Sequence, residues 1–253
     1  MTRPVTFSVV LPAYNEERVL GPTVDAVVTR LGAYPDSEVI IVENGSTDDT
    51  ARLASALATD RMTRAVDIRV ARSPKGLGHA LREGIRLARA DRVLLTAADL
   101  PFGFTDLDAA IALEDAPAVI IGSKAHPDSV VEAGRVRRVL SHGFRILRRQ
   151  LLDLDVGDSQ GSIIIDRDVA QALLPSLRAD GYFVATELIV RADRRGLHPV
   201  EVPVVYRRPR ADSKVHPVRD SWETARALVR LRAQLHREDT AYMAHPLPSV
   251  PAS

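Results

Sequence analysis

The sequence FSVVLPAYNE, at residues 7–16, is the stretch that decides the fold. It begins with a short, mostly apolar run rich in β-branched side chains, and Pro12 ends that run. Such a run is typical of a buried strand. Residues 16–31 then carry valines at helical spacing on one side. The stretch therefore predicts a strand joined by a short loop to a helix, which is the unit from which α/β folds are built.

The same unit recurs through the first half of the chain. Apolar runs at residues 38–42, 67–71 and 92–96 predict three further strands, and helices are predicted between them at 48–57 and 79–90. Strands that alternate with helices of about 10–15 residues indicate a parallel sheet covered by helices. We therefore expect an α/β fold with a mostly parallel central sheet.

The second half of the chain is less regular. Its last predicted helix, at residues 220–236, is amphipathic, with Leu228, Val229 and Leu235 opposite several arginines. This apolar stripe suits either loose binding to a membrane surface or packing on the core. The other predicted elements are strands at 118–121, 162–165 and 200–206 and helices at 136–152 and 186–195.

The composition limits the class of protein. With 253 residues, of which 45% are hydrophobic, the chain can bury one sizeable core, and we expect one domain over residues 1–238 and a disordered tail over 239–253. A net charge of +1 argues against a general nucleic-acid binder. The sequence has no cysteine, which excludes disulfides and thiolate zinc sites. No signal peptide and no apolar run of about 18 residues is visible, so we expect a cytoplasmic protein that could touch the cytoplasmic face of a membrane.

Ligands of open α/β sheets bind at the carboxyl ends of the strands, where two loops of this sequence carry informative residues. At residues 12–16, free backbone N–H groups before a helix favour an anion or an acceptor-rich base. Tyr14 offers a flat face there and Glu16 a hydrogen-bond acceptor, although a simple helix cap is the alternative. After the second strand, Glu43 and Asn44 suit the donor edge of a base, although a common Asn-Gly turn is the alternative.

Three further loops carry charged side chains. The loop at residues 75–78, Lys-Gly-Leu-Gly, is short and positive and suits a diphosphate, unless its lysine is simply solvated. Asp99 follows a predicted strand, where it could hold Mg²⁺ or Mn²⁺ against a diphosphate or cap a turn. Either Asp155 or Asp158 could act as a general base or position an acceptor, with turn formation as the alternative.

Taken in order, short runs along the chain resemble the family 2 glycosyltransferases. The likeness is greatest to the polyprenyl-phosphate branch, which includes dolichyl-phosphate glucosyltransferases and mannose synthases. It extends over residues 5–235, and its specificity comes from the order and spacing of the runs. The runs are residues 10–17 (VLPAYNEE), 42–48 (VENGSTD), 75–78 (KGLG), 98–100 (ADL), 122–124 (GSK), 158–160 (DSQ), 187–188 (EL), 201–204 (EVPV), 213–215 (SKV) and 219–221 (RDS).

The resemblance implies a GT-A fold, a UDP- or GDP-sugar donor and inversion at the sugar carbon. It places Asp99 on the metal side of the donor, with Mg²⁺ or Mn²⁺ as the cofactor, and Asp158 near the acceptor. The catalytic residues that it implies are therefore Asp99 and Asp158. The other donor-binding residues that it implies are Pro12, Ala13, Tyr14, Glu16, Glu43, Asn44 and Ser46 for the nucleoside, and Lys75, Gly76 and Ala98 beside them or the diphosphate.

The resemblance also implies a polyprenyl phosphate as the acceptor. Such a reaction brings two anionic groups together, so cations must offset their repulsion. The matching positions of this sequence are Lys124, Arg137, Arg138 and Lys214. This purpose explains the crowding of arginines at residues 135–149 better than a solvated helix surface does.

Three residues depart from the pattern of the family. Ala97 replaces the first acid of the usual acidic pair, and Pro101 stands where some relatives place a polar group. Ala185 replaces an aspartate of the family. Because these changes remove negative charge beside the metal, three alternatives stay open: weak metal dependence, a small soluble acceptor, and a non-catalytic protein that binds sugar nucleotides. A nucleotidyltransferase is disfavoured, because its Gly-rich N-terminal loop is missing.

Overall fold

The computed structural model describes residues 5–59, 66–132, 135–206 and 226–238, and of residues 135–142 it describes the backbone alone. The strands in these ranges are β1 (Phe7–Ala13), β2 (Glu38–Glu43), β3 (Asp67–Arg72), β4 (Arg92–Leu95), β5 (Val119–Ser123), β6 (Val130–Val131), β7 (Ser162–Asp166), β8 (Val200–Pro203) and β9 (Val205–Tyr206). The helices are α1 (Leu20–Leu31), α2 (Thr50–Thr59), α3 (Leu77–Leu87), α4 (Thr105–Ile111), α5 (Arg135–Leu152), α6 (Arg167–Leu173) and α7 (Phe183–Asp193), and residues 226–238 form a further helix, α8.

Seven strands form the central sheet, in the order β3-β2-β1-β4-β7-β5-β8. Strands β1 to β4 run parallel to one another, and β5 pairs in parallel with β8. Strand β7 runs antiparallel between β4 and β5. Strands β6 and β9 make a separate two-stranded pair. The predicted mostly parallel sheet flanked by helices is confirmed.

The two faces of the sheet contribute side chains to two separate hydrophobic cores, because successive side chains of a strand point to opposite faces. Val10 and Ile40 belong to the core that α3, α6, α7 and α8 cover. Val9 and Ile41 belong to the core that α1, α2 and α4 cover. All four side chains are fully buried, and burial of each contributes about 1.5–3 kcal/mol before conformational entropy is subtracted.

The last described helix, α8, packs on the core rather than offering its apolar stripe to a membrane. Leu228 and Leu235 are buried in the first core, together with Leu231. Val229, at 57% exposure, is the member of the predicted stripe that faces solvent. Of the two alternatives for this stripe, packing on the core is therefore the one that the described part of the helix shows. No helix in the described ranges combines the length and apolar character that crossing a membrane requires.

The structure also shifts several predicted boundaries. Helix α1 begins at Leu20 instead of residue 16, since residues 17–19 form a turn in which the Val19 and Leu20 N–H groups both donate to the Glu16 carbonyl. The strand predicted at 200–206 is divided at Val204, whose N–H donates to the Ser129 side chain instead of a strand partner. Helices α4 and α6, of seven residues each, were not predicted, because so short a segment carries little periodicity.

Candidate active site

The loops that carry the predicted site residues meet along one edge of the sheet. Parallel strands β1, β2, β3 and β4 all end at that edge. Because β7 is antiparallel to β4, the residues that precede it reach the same edge, and β5 also ends there. The topology therefore brings together residues 12–16, 43–48, 75–78, 97–101, 124 and 158, as expected for a ligand site in an open α/β sheet.

Hydrogen bonds tie the loops after β1 and β2 to each other and fix the second loop internally. The Asn15 N–H donates to Ser46 Oγ at 3.1 Å, and the Thr47 N–H donates to Asn15 Oδ1 at 2.8 Å. The Ser46 N–H donates to Glu43 Oε1 at 2.6 Å, and the Glu16 N–H donates to the Thr50 hydroxyl at 2.8 Å. Together these bonds fix the backbone that ends the first two strands. Asn15, which the sequence reasoning did not assign, joins the two loops.

Pro12 and Ala13 are the last residues of β1 and contribute to the edge through their backbone. The Ala13 side chain is buried, and its carbonyl accepts the Asn44 N–H at 3.1 Å. The Asn44 side chain is only 5% exposed, and its Oδ1 has no hydrogen-bond partner among the described residues. An unpaired buried acceptor costs about 1–3 kcal/mol. A ligand that supplies an N–H at this edge would remove that cost.

Lys75 and Tyr14 contact each other at this edge. The Lys75 Nζ donates to Tyr14 Oη at 2.7 Å and lies 4.5 Å from the centroid of the tyrosine ring. The Lys75 Cβ also lies next to Gly45, in the loop after β2. Three predicted donor loops are therefore in mutual contact. Their exposed ammonium group can face an anion.

The loop that holds Lys75 rests on a second loop at residues 178–180, and two glycines permit the contact. A Cβ on Gly78 would lie 2.0 Å from the Ala179 carbonyl oxygen, and the Gly78 N–H donates to the Asp180 carbonyl at 2.8 Å. Gly76 has a φ of 132°, which side chains rarely adopt. The glycines of this loop thus have a structural reason, since only glycine fits against residues 178–180, and the diphosphate role of the loop stays a prediction.

A buried carboxylate holds the supporting loop in place. Glu187 of α7 is 2% exposed, and its Oε2 accepts the N–H groups of Arg178 at 2.9 Å and Ala179 at 2.8 Å. Its Oε1 accepts the Arg191 Nε–H at 3.0 Å. The other two guanidinium nitrogens of Arg191 donate to the Glu238 carboxylate of α8 at 2.7 and 3.2 Å. No role was predicted for this group from the sequence. The signal was a Glu-Arg pair at i,i+4 inside an otherwise apolar helix.

We expect Gly78→Ala to damage both stability and donor binding. The new methyl group would collide with the Ala179 carbonyl, so the loop must shift, at a cost of about 1–3 kcal/mol. Thermal unfolding and UDP titration would measure the two effects. The matched control is Gly143→Ala in α5, where a Cβ meets nothing within 4 Å and the change should be neutral or slightly stabilising. Equal melting temperature and UDP affinity in the two variants would contradict this role for the loop contact.

Asp99 stands exposed at the turn after β4. Leu100, the next residue, has a left-handed φ of 43°, and its N–H donates to the Ala97 carbonyl at 3.1 Å. Ala98 is buried, and its carbonyl accepts the Thr23 hydroxyl at 2.6 Å. The Asp99 carboxylate makes no hydrogen bond or ion pair with the described part of the chain. It is therefore presented to solvent by an anchored turn and is open to a ligand.

The residues at this turn fit a divalent cation only when the substrate supplies the remaining ligands of the ion. Nowhere in the described ranges do three or more His, Cys, Asp or Glu side chains converge as metal ligands. Mg²⁺, however, is usually held by one or two carboxylates together with substrate phosphates and water. Asp99 provides one such carboxylate, and Ala97 provides none. The donor set therefore fits an ion bound jointly with a diphosphate.

Lys124 and Asp158 form a tight ion pair on the other side of the site. The Lys124 Nζ lies 2.5 Å from Asp158 Oδ2, and the carboxylate also accepts the Lys124 and Gln160 N–H groups at 3.2 and 2.9 Å. Burial alone would raise the pKa of Asp158, but the Lys124 ammonium and these hydrogen bonds hold that pKa below its ordinary value. A carboxylate in this state is a weak base. The geometry therefore favours the positioning role over the general-base role that sequence reasoning left open.

Glu201 of β8 fixes the loop that carries Asp158. Its two carboxylate oxygens accept the N–H groups of Gly157 at 2.7 Å and Asp158 at 2.9 Å. Arg148 of α5 holds the same loop from behind, because its guanidinium donates to the Val156 carbonyl and to Ser159 Oγ. Burial lowers the pKa of Arg148, and the nearby charges of Asp158 and Glu201 oppose that shift.

A cavity of about 510 Å³ opens beside this loop. Its wall combines arginines of α5 with apolar side chains and with the backbone around Gly157. The crowded arginines were predicted to face the acceptor through Arg137 and Arg138, whose side chains lie outside the described part, as does Lys214. The lining residues are Ala125, His126, Pro127, Arg145, Ile146, Arg149, Asp155, Val156, Gly157 and Glu201.

Comparison with known proteins identifies a family. A family model described as "Glycosyl transferase family 2" matches residues 8–174. The chain is 34% identical over 225 residues to glycosyltransferase AglD of Haloferax volcanii, which covers 85% of this chain and 35% of AglD. It is 28% identical over 249 residues to the dolichyl-phosphate beta-glucosyltransferase of Saccharomyces cerevisiae, covering 90% of this chain and 74% of that protein. The chain thus spans about a third of AglD and about three quarters of the yeast protein.

Solved structures agree on the fold. Glucosyl-3-phosphoglycerate synthase from Mycobacterium tuberculosis, in complex with UDP, aligns with a TM-score of 0.63 at 23% identity, over 91% of this chain and 79% of that one. A complex of the same enzyme with Mn²⁺, UDP-glucose and phosphoglyceric acid aligns with a TM-score of 0.64 at 22% identity, again over 91% and 79%. The predicted GT-A fold is confirmed.

Proposed function

We propose that this chain, which belongs to glycosyl transferase family 2, moves glucose from UDP-glucose to a polyprenyl phosphate with inversion at the sugar carbon. The observation that carries the proposal is one sheet edge that joins Tyr14, Asn44, Lys75 and Asp99 and lies next to the Lys124–Asp158 pair. The names of curated relatives support glucose as the sugar and dolichyl phosphate as a model of the acceptor. Titles of similar structures support UDP as the nucleotide carrier.

In the proposed reaction, an oxygen of the acceptor phosphate forms a bond to C1 of glucose while the bond from C1 to the β-phosphate oxygen of UDP breaks. UDP leaves with the electron pair of that bond, and glucosyl phosphate linked to the polyprenyl chain is the product. Because the attacking oxygen is already anionic, the step needs no general base. The chief requirement is to bring two anionic groups together and to stabilise the departing diphosphate.

The residues of the site divide this work. The Asn44 amide would pair with the N–H of the base, and Tyr14 would pack on the nucleoside. The Lys75 ammonium would exchange its hydrogen bond with Tyr14 Oη for one with the diphosphate. Lys124, oriented by Asp158, would face the acceptor phosphate. Asp99 would hold Mg²⁺ or Mn²⁺, and the ion, when bound, would offset negative charge on the leaving diphosphate.

Contact with a membrane surface belongs to this proposal, because polyprenyl phosphates reside in membranes. The described face that suits such contact is the cavity-bearing side of α5, where Ile146 is 45% exposed. The 1–238 domain and the roles given to Arg137, Arg138 and Lys214 remain predictions from the sequence.

The experiment that tests the donor is thermal unfolding with UDP, GDP and their sugars, with and without Mn²⁺. UDP at about 100 times its Kd should stabilise the folded chain by about 2.7 kcal/mol, which raises the melting temperature by about 5–10 °C in a chain of this size. GDP should have a smaller effect. A larger shift with GDP would reassign the base, and no shift with any sugar nucleotide would contradict the proposal.

A matched variant distinguishes binding of the diphosphate from binding of the nucleoside. Lys75→Met should reduce the shift caused by UDP and leave the shift caused by uridine unchanged, since uridine has no phosphate for the ammonium to meet. The control is Arg195→Gln, because Arg195 is exposed beyond α7, at the edge where β8 begins rather than where it ends. An equal loss of both shifts in Lys75→Met would mean that the substitution damaged the loop.

A further inference from the structure

We infer that the cavity between α5 and the loop before β7 binds the acceptor phosphate through Arg145 and Arg149, and that the isoprenoid chain of the acceptor leaves across Ile146. The inference rests on the proposed function, because it names the acceptor part of that site. It is carried by the shape, charge and apolar content of the cavity.

The cavity lies directly beside the predicted reaction centre. Gly157 and Ala125 form adjoining parts of its wall, since a Cβ on Gly157 would lie 2.7 Å from the Ala125 Cβ. Each is the chain neighbour of a member of the ion pair, Asp158 in one case and Lys124 in the other. A phosphate held in this cavity can therefore present an oxygen toward Lys124.

Two arginines and two carboxylates are the charged side chains among the described residues that line the cavity: Arg145, Arg149, Asp155 and Glu201. The Glu201 carboxylate is already engaged, because it accepts two backbone N–H groups. Asp155 meets Arg149 at 3.6 Å, and both side chains are exposed. An exposed pair of this kind is weak, so an incoming phosphate can displace the Asp155 carboxylate.

The donors on the wall suit a phosphate. Arg145 and Arg149 stand one helical turn apart on α5 and line the same cavity. A guanidinium offers a fork of N–H groups that matches two phosphate oxygens. His126 Nδ1 accepts the Asp128 N–H at 3.2 Å, so Nε2 is the ring nitrogen that can act as a further donor.

The apolar side chains on the wall indicate that the phosphate carries a hydrocarbon chain. Ile146 lies between Arg145 and Arg149 in sequence and is 45% exposed. Pro127 and Val156 add apolar surface to the same cavity. A small phosphorylated acid would leave this surface in water, whereas the first isoprene units would cover it. The volume of about 510 Å³ lies inside the usual range of about 300–1,000 Å³ for small-molecule sites.

Calorimetry with farnesyl phosphate, a short isoprenoid phosphate, tests this site on the full chain. The double variant Arg145→Gln, Arg149→Gln should raise the Kd for farnesyl phosphate at least about tenfold, because it removes charge-assisted hydrogen bonds to the phosphate. The Kd for UDP should stay within about twofold of wild type, since the cavity does not include the donor loops. Arg195→Gln is the control for loss of a surface charge. An unchanged Kd for farnesyl phosphate in the double variant would overturn the inference.

A second set of probes distinguishes binding of the phosphate group from binding of the isoprenoid chain. Ile146→Ser should weaken farnesyl phosphate binding and leave binding of inorganic phosphate as in wild type. Farnesol, which lacks the phosphate, should bind far more weakly than farnesyl phosphate. If 3-phosphoglycerate bound more tightly than farnesyl phosphate and displaced it, the isoprenoid assignment would be wrong.

Transfer assays distinguish failure of this site from failure of the proposed function. If wild type glucosylates farnesyl phosphate and the double variant keeps the same KM for it, the cavity is not the acceptor site and the proposed function stands. If farnesyl phosphate binds in an arginine-dependent way but accepts no glucose, the phosphate site stands and the proposed function falls.

Discussion

Asp99→Asn is expected to lower kcat for glucose transfer about 10²–10³-fold while changing the Kd for UDP without metal by less than about threefold. Asp99 is the carboxylate at the end of β4 that no described residue engages, so its charge is free for a divalent ion. Charge stabilisation by such an ion is worth several kcal/mol in the transition state. At about 1.36 kcal/mol per factor of ten, its loss corresponds to the stated decrease.

The same variant has a readout that does not depend on turnover. In wild type, Mn²⁺ should increase the thermal stabilisation caused by UDP, because ion and diphosphate bind together. Asp99→Asn should abolish that increase, whereas Asp115→Asn, at an exposed position before β5, should not. Full activity of wild type in excess EDTA, combined with full activity of Asp99→Asn, would show that this carboxylate holds no catalytic ion.

Lys124→Met is expected to destabilise the fold by about 3 kcal/mol and to remove most transfer activity. The substitution leaves the Asp158 carboxylate, 12% exposed, without the ammonium 2.5 Å away. Breaking a buried ion pair by removing one partner typically costs about 3–5 kcal/mol. Chemical denaturation at pH 7 would measure the loss, with Arg195→Met as the control for removing an exposed charge.

The destabilisation caused by Lys124→Met should depend on pH in a defined direction. In wild type the pKa of Asp158 is held below its unfolded value of about 3.9, so the stabilisation is complete above that pH and is lost as pH falls through the folded pKa. Without Lys124, burial raises the pKa of Asp158, and protonation relieves the unpaired charge. The difference in unfolding free energy between wild type and variant should therefore be greatest at neutral pH and shrink below about pH 4.

A second substitution separates stability from function. Adding Asp158→Asn to Lys124→Met should restore part of the stability, since no unpaired carboxylate remains, and should not restore transfer. Restored transfer in this double variant would contradict the proposed role of Lys124 at the acceptor phosphate. A pH-independent stability difference would contradict the ion-pair argument.

Much of the fold and of the donor side could be predicted because the signals are local. Each buried strand of the first half is visible in the sequence as an apolar run. The polar residues that follow such a run must lie at the carboxyl edge of a parallel sheet. Tyr14, Asn44, Lys75 and Asp99 were placed by this reasoning and by the resemblance, and the structure brings their loops to one edge.

The residues that support these loops could not be predicted, because their partners are distant in sequence. Glu187 secures residues 178–180, on which Gly78 rests about a hundred positions earlier in the chain. A sequence shows a buried carboxylate in an apolar helix but not which backbone N–H groups it will meet. The choice between the two roles left open for Asp158 could not be made for the same reason, since its pairing with Lys124 depends on the antiparallel strand β7.

The neighbours of each helix face also could not be predicted from the sequence. The arginines of α5 were recognised as a basic cluster, but the choice among them depends on how the helix sits against the loop before β7. The apolar stripe of α8 suited either a membrane surface or the core, and in the structure Leu228 and Leu235 belong to the core. Amphipathic periodicity gives the direction of an apolar face without naming what covers it.

Glucose transfer from UDP-glucose to farnesyl phosphate, followed by mass spectrometry of the product together with the UDP released, tests the central claim most directly. We predict one glucosyl farnesyl phosphate for each UDP, with β configuration at the sugar carbon. Release of UDP without that product, or no reaction of either substrate in the presence of Mn²⁺, would contradict the claim that this sheet edge joins a sugar nucleotide to a phosphate acceptor.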